Sequence, residues 1–133
     1  PGVHDYMERT RTQARDDGYV ATIEGRRLYL PEINARTPPR RQYAERSAIN
    51  APMQGSAADI IKRAMIDVRG WLKSGKTDAR LIMQVHDELV LEVAESAADA
   101  VMAEVIERMA RAATLDVPLK VDAAAGANWD EAH

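Results

Sequence analysis

The sequence predicts an α+β fold in which an antiparallel sheet carries helices packed on one face. Three observations lead to this class. Two pairs of short β-prone runs each meet at a turn, apolar residues recur at helical spacing in two long segments, and helical and β-prone segments alternate along the chain. With 133 residues, of which 46% are hydrophobic and 29% charged, the chain has the size and composition of one globular domain.

The first half of the chain begins with a polar helix and a hairpin. Residues 4–17 have a helical pattern that ends near Gly18, and two short β-prone runs that meet at Glu24-Gly25 follow. Residues 31–40 contain three prolines, which predicts a loop.

A long helical pattern occupies residues 40–74. Because proline lacks a backbone N–H and clashes with the preceding turn, Pro52 predicts a break or kink between Asn50 and Gly55. Ser56 is then the expected N-cap of the second part. The apolar positions of that part form a core-facing stripe at helical spacing: Ala57, Ile60, Ile61, Ala64, Met65, Val68, Trp71 and Leu72.

A second hairpin covers residues 81–93, where two apolar runs meet at three polar residues. Residues 96–113 form an amphipathic pattern typical of a helix, and residues 117–126 predict a last short strand before a tail. The chain opens on Pro1 rather than Met, directly before a helical pattern, so we expect a segment of a longer protein.

Composition excludes several classes of protein. The chain has no cysteine, which rules out disulfides and thiolate metal sites. It contains no apolar run near the roughly 20 residues of a membrane span and no secretory signal, so a soluble intracellular protein is expected.

The net charge of −3 is unevenly divided, with +5 over residues 1–83 and −8 over residues 84–133. One part of the basic half contains six arginines and no lysine. Such a segment suits phosphate binding through planar bidentate contacts, although a solvated face has the same composition. The arginines are Arg26, Arg27, Arg36, Arg40, Arg41 and Arg46.

The junction of the second hairpin consists of His86, Asp87 and Glu88. Mg²⁺ prefers oxygen ligands on rigid supports, and a tight hairpin is such a support. Since adjacent strand residues point to opposite faces, we expect Asp87 to be the main ligand and Glu88 a secondary one. The alternative is a solvated turn, but a hairpin turn usually contains Gly or Asn-Gly and neither is present.

Arg46, Asn50 and Gln54 have i, i+4, i+8 spacing and would share one face of a helix. Their side chains can donate to purine N3 and pyrimidine O2 in the minor groove, which every base pair offers, so they could hold a duplex without reading its sequence. The alternative is a polar solvent-facing stripe, and a kink at Pro52 would blur the alignment. His86, beside the acids, could donate to a phosphate, a sugar or a base edge.

Four segments of the chain resemble, in order and with close spacing, the C-terminal palm portion of the bacterial family A DNA polymerases. They are GRRLYLPEI, AERSAINAPMQGSAADIIKRAM, QVHDELVLEV and NWDEAH. The resemblance covers essentially the whole chain. It implies that residues 1–17 form a helix leading in from the upstream fingers or palm, and that residues 18–133 are mainly palm.

The resemblance also implies roles for the candidate residues. Asp87 and Glu88 match the acids of the family's third conserved motif, and His86 matches a residue near the primer terminus. The residues of the helix stripe match contacts to the template-primer duplex. The implied reaction is attack of the primer 3′-hydroxyl on the α-phosphate of a dNTP, with two Mg²⁺ ions, in bacterial cytoplasmic DNA replication and repair at the nucleoid.

The same resemblance implies that the chain carries half of a catalytic site. The family's other essential aspartate lies in a DYSQIELR-like segment, and no such segment occurs in this sequence. We therefore expect the chain alone to be inactive, with self-association through an exposed sheet edge as a further expectation. A noncatalytic duplex-DNA-binding module is the alternative function.

Overall fold

A computed structural model describes residues 2–75 and 77–132, which divide into two compact units, Pro1–Asp59 and Ile60–His133. The α+β class is confirmed, since helices alternate with antiparallel strand pairs. None of the helices in the described ranges is long and apolar enough to cross a membrane. The elements are α1 (Gly2–Asp17), β1 (Tyr19–Ala21), β2 (Arg27–Tyr29), α2 (Pro38–Leu72), β3 (Ala79–Val85), β4 (Glu88–Val93), a 3₁₀ turn (Glu95–Ala97), α3 (Ala98–Ala110) and α4 (Trp129–Ala132).

The strands form two separate two-stranded hairpins rather than one sheet. β1 pairs with β2 from Tyr19–Tyr29 to Ala21–Arg27, which confirms the hairpin predicted around Glu24-Gly25. The strand predicted over residues 117–126 is wrong, because those residues have no regular structure. A strand needs a neighbour to accept and donate its backbone hydrogen bonds, and neither hairpin offers this segment such a pairing within the described residues.

Of the two alternatives predicted near Pro52, the break is wrong, because α2 is helical from Pro38 through Leu72 with Pro52 inside it. A kink within the continuous helix stays a prediction. Ser56 is therefore a buried residue in the middle of a helix and not an N-cap. Its hydroxyl donates to the Pro52 carbonyl and accepts from the backbone N–H of Ile23 at 3.0 Å. On the other side of the proline, the Tyr6 hydroxyl donates to the Ile49 carbonyl at 3.0 Å. The bonds from Tyr6 and Ile23 join this part of α2 to α1 and to the first hairpin.

The core of the N-terminal unit is built on a face of small residues along α2. Ala44 and Ala48 are almost fully buried, and Ala51 packs against the same cluster. Short side chains at i, i+4 and i+7 allow other elements to come close to the helix backbone. The other buried members come from α1, β1 and the loop after β2: Ala14, Val20, Leu30 and Ile33.

Gly55 continues this small face, and the turn between β1 and β2 packs directly on it. A Cβ at Gly55 would lie 2.6 Å from Thr22 Cγ2. Arg26 fixes the turn at this place, because its Nη2 donates to the Gly55 carbonyl at 3.0 Å and its Nε to Asp59 Oδ1 at 2.9 Å. The glycine is therefore needed for close approach of the turn.

The core of the C-terminal unit joins three elements. Val68 of α2 is fully buried and packs with Val101 and Val105 of α3. One face of the β3–β4 hairpin covers this cluster through alternate residues, including Leu89 and Leu91. The hairpin that contains the acidic residues therefore packs against both α2 and α3.

Gly55→Ala should destabilise the N-terminal unit. Thr22 has a stiff β-branched side chain whose hydroxyl accepts from the Arg26 N–H at 3.2 Å, so it cannot turn away at low cost. Overpacking of about 1–3 kcal/mol should exceed the gain in helix propensity of about 1 kcal/mol. Gly70→Ala is the matched control, since a Cβ at this helical glycine meets nothing within 4 Å and should stabilise. Urea unfolding measures both, and equal effects of the two changes would contradict the close packing.

Candidate functional site

The β3–β4 hairpin ends in a two-residue turn made of His86 and Asp87. Val85 and Glu88 are the last paired residues of the two strands. A register irregularity lies between Leu81 and Met83, so the ladder is regular from there to the turn. A short turn on a regular ladder is a stiff support for the side chains that it carries.

His86 adopts a left-handed backbone conformation with φ of 49°. Two-residue hairpin turns need positive φ at the first central position, where glycine or asparagine is usual. A histidine there costs about 1 kcal/mol or more relative to glycine. The Gln84 side chain donates to the His86 carbonyl and holds the turn. The turn geometry itself requires the positive φ, and the unusual feature is that a histidine rather than a glycine or asparagine adopts it.

The two acids of the turn differ in their surroundings. Asp87 is exposed, whereas Glu88 is half-buried at the start of β4. Strand alternation puts Glu88 on the hairpin face opposite the core-facing Leu89 and Leu91. Carboxylate oxygens suit Mg²⁺, so the donor chemistry fits such an ion. No cluster of three or more potential metal ligands occurs among the residues that the structure describes. Further ligands for an ion at Asp87 would have to come from other groups.

The second candidate feature is the exposed face of α2 in the N-terminal unit. Arg46, Asn50 and Gln54 are all exposed. Because the helix continues through Pro52, their spacing places them on one face along about 12 Å of the helix axis. We call these three residues the donor stripe. It lies on the side of α2 away from the buried Ala44 and Ala48.

Tyr43 is an aromatic neighbour of the donor stripe to which the sequence pattern gave no role. Its ring is exposed, and the Arg46 guanidinium carbon lies 6.0 Å from the ring centroid. The i, i+3 spacing of Tyr43 and Arg46 was the available signal for this contact.

Comparisons with known proteins agree on one family. The family model described as DNA polymerase family A matches residues 1–131. DNA polymerase I of Pseudomonas aeruginosa is 60% identical over 133 residues, which is all of this chain and 15% of that protein. DNA polymerase I of Bacillus caldotenax is 50% identical over 132 residues, which is 99% of this chain and 15% of that protein.

A solved structure is similar throughout. It is the POL domain of Pol1 from M. smegmatis in complex with DNA primer-template and dNTP, at a TM-score of 0.95 and 49% identity. The similarity covers 98% of this chain and 23% of that chain. This chain thus spans about 15% of the length of the two bacterial polymerases.

Proposed function

The chain belongs to DNA polymerase family A, and we propose that it supplies a metal-binding turn and duplex contacts for template-directed DNA synthesis. The proposed partners are a primer-template duplex and, in the complete enzyme, a dNTP. The M. smegmatis relative was solved with both. The enzyme's proposed work is DNA replication and repair on nucleoid DNA in the bacterial cytoplasm.

Asp87 is the residue that we assign to metal binding, with Glu88 as a secondary ligand. When bound, two Mg²⁺ ions supply Lewis-acid activation of the primer 3′-hydroxyl and stabilise the departing pyrophosphate. The exposed Asp87 carboxylate at the tip of a stiff hairpin would hold one such ion. His86, at the same tip, would donate to the sugar or phosphate of the primer terminus. The observation that supports this assignment most directly is the exposure of the Asp87 carboxylate in a two-residue turn closed by the Val85–Glu88 pair.

The donor stripe is assigned to the primer-template duplex. Asn50 and Gln54 carry amide N–H donors and Arg46 a guanidinium, and all three groups match the minor-groove acceptors that every base pair shares. Such contacts hold a duplex of correct shape without selecting a sequence, as a polymerase requires. The exposure of all three side chains on one continuous helix supports this role.

A noncatalytic duplex-binding module is the second candidate function. It is favoured by one observation, the three exposed side chains of the donor stripe, which need no metal to contact a duplex. The two carboxylates of Asp87 and Glu88 at the hairpin turn favour the polymerase instead, because negative charges do not help a module that only binds DNA phosphates. The two functions differ in what loss of Asp87 does to synthesis.

The experiments below use a chimera in which this chain replaces the corresponding 133 residues of the P. aeruginosa enzyme. In the chimera, Asp87→Ala should reduce single-nucleotide incorporation by about 10²- to 10⁴-fold, because it removes several kcal/mol of metal-assisted stabilisation. Primer-template affinity should stay near that of the parent. Asp116→Ala is the matched control at an exposed aspartate outside the turn. Unchanged incorporation by Asp87→Ala would refute the metal role.

Gln54→Ala should slow primer extension by the chimera about two- to tenfold, the effect of one lost hydrogen bond of about 0.5–1.5 kcal/mol. Single-turnover extension on a matched primer-template measures it. Gln13→Ala removes another exposed glutamine, from α1, and should leave extension at the parent rate. Parent-like extension by Gln54→Ala would count against the duplex contact.

The isolated 133-residue chain should extend no primer, because its metal site needs an aspartate from outside this sequence. It should also self-associate through an exposed sheet edge, since β3 and β4 pair only with each other among the described residues and Ile82 and Met83 of β3 are exposed. Primer extension and sedimentation equilibrium test the two statements. Extension at a rate near that of the chimera would overturn the first statement. A monomeric mass at all concentrations would overturn the second.

A further inference from the structure

Tyr43 lies within the face that we assign to DNA. With about 100° of rotation per residue, its position around α2 falls between those of Asn50 and Gln54. Its side chain is 67% exposed, so the ring adds little to the protein core. From Tyr43 to Gln54 the face extends about 16 Å along the axis, which corresponds to about five base-pair steps of 3.4 Å.

No acidic side chain among the described residues neutralises the charge of Arg46. Glu45, the adjacent acid, is engaged with Arg15 at 2.6 Å and is only 19% exposed. Within residues 2–75 and 77–132, Arg46 takes part in no ion pair. Its guanidinium lies instead over the Tyr43 ring, at 6.0 Å from the centroid. This distance is at the outer limit of a cation–π contact.

We propose that Tyr43 is a positioning residue that holds the Arg46 guanidinium over the α2 face for contact with duplex DNA. This inference rests on the proposed function of the donor stripe. An arginine side chain loses conformational entropy when it binds DNA. Because the Tyr43 ring already restricts the rotamers of Arg46, less of this entropy is lost on binding. Expulsion of water by the duplex would strengthen the attraction between the guanidinium and the ring.

The test measures primer-template affinity of the chimera by fluorescence anisotropy at fixed salt. Tyr43→Leu keeps an apolar side chain but removes the π face, and should weaken binding about two- to fivefold. Tyr43→Phe keeps the π face and should restore affinity. Tyr29→Leu is the matched control at another exposed tyrosine, 65% exposed and outside α2, and should leave affinity unchanged.

The mechanism requires that Tyr43 act through Arg46. In an Arg46→Ala background, Tyr43→Leu should therefore cause no further loss of affinity. An equal loss in both backgrounds would overturn the inference, as would wild-type affinity of Tyr43→Leu when Arg46→Ala weakens binding. If Arg46→Ala, Asn50→Ala and Gln54→Ala all leave affinity unchanged, the duplex role of the donor stripe fails and the inference falls with it. Melting temperatures of all variants separate loss of folding from loss of contact.

Discussion

The helical path of α2 through Pro52 is the constraint on which the rest of the N-terminal unit depends. Proline removes one backbone donor from the helix and crowds the carbonyl four residues earlier. The Tyr6 hydroxyl donates to the Ile49 carbonyl, and the backbone N–H of Ile23, in the turn after β1, donates to the Ser56 hydroxyl. The elements that surround the helix thus supply contacts that the isolated helix lacks.

Because α2 is one continuous helix, it presents a buried face for packing and an exposed face for the proposed DNA contacts. One face is lined by small residues from Ala44 to Gly55, so that α1 and the first hairpin can pack closely on it. The other face keeps the donor stripe in register along the axis. The same helix continues to Val68, in the core that supports the second hairpin. A change that interrupted α2 would therefore disturb the packing and the proposed DNA contacts together.

Local sequence rules predicted the elements that depend on residues close together in the sequence. Glu24-Gly25 marked the first hairpin, and the apolar runs around residues 86–88 marked the second. The same rules did not predict that α2 continues through Pro52, a part of the helix to which Tyr6 and Ile23 are hydrogen-bonded from far away in the sequence. They also failed over residues 117–126, where β propensity found no pairing partner.

The candidate site, too, was only partly predictable from local sequence. Turn chemistry alone left Asp87 open between a ligand and a solvated residue, and only the whole-chain resemblance gave it a role. No propensity predicted the left-handed conformation of His86, because a single sequence does not reveal backbone strain. A role for Tyr43 can be inferred only when the structure shows the Arg46 guanidinium over its ring.

The most direct test of the account is a crystal structure of the chimera with primer-template, Mg²⁺ and a nonhydrolysable dNTP analogue. The account predicts an Asp87 oxygen about 2.0–2.1 Å from a magnesium ion, and Asn50 and Gln54 within hydrogen-bond distance of minor-groove acceptors. A bound duplex that leaves Asp87 in solvent, away from any metal, would contradict it.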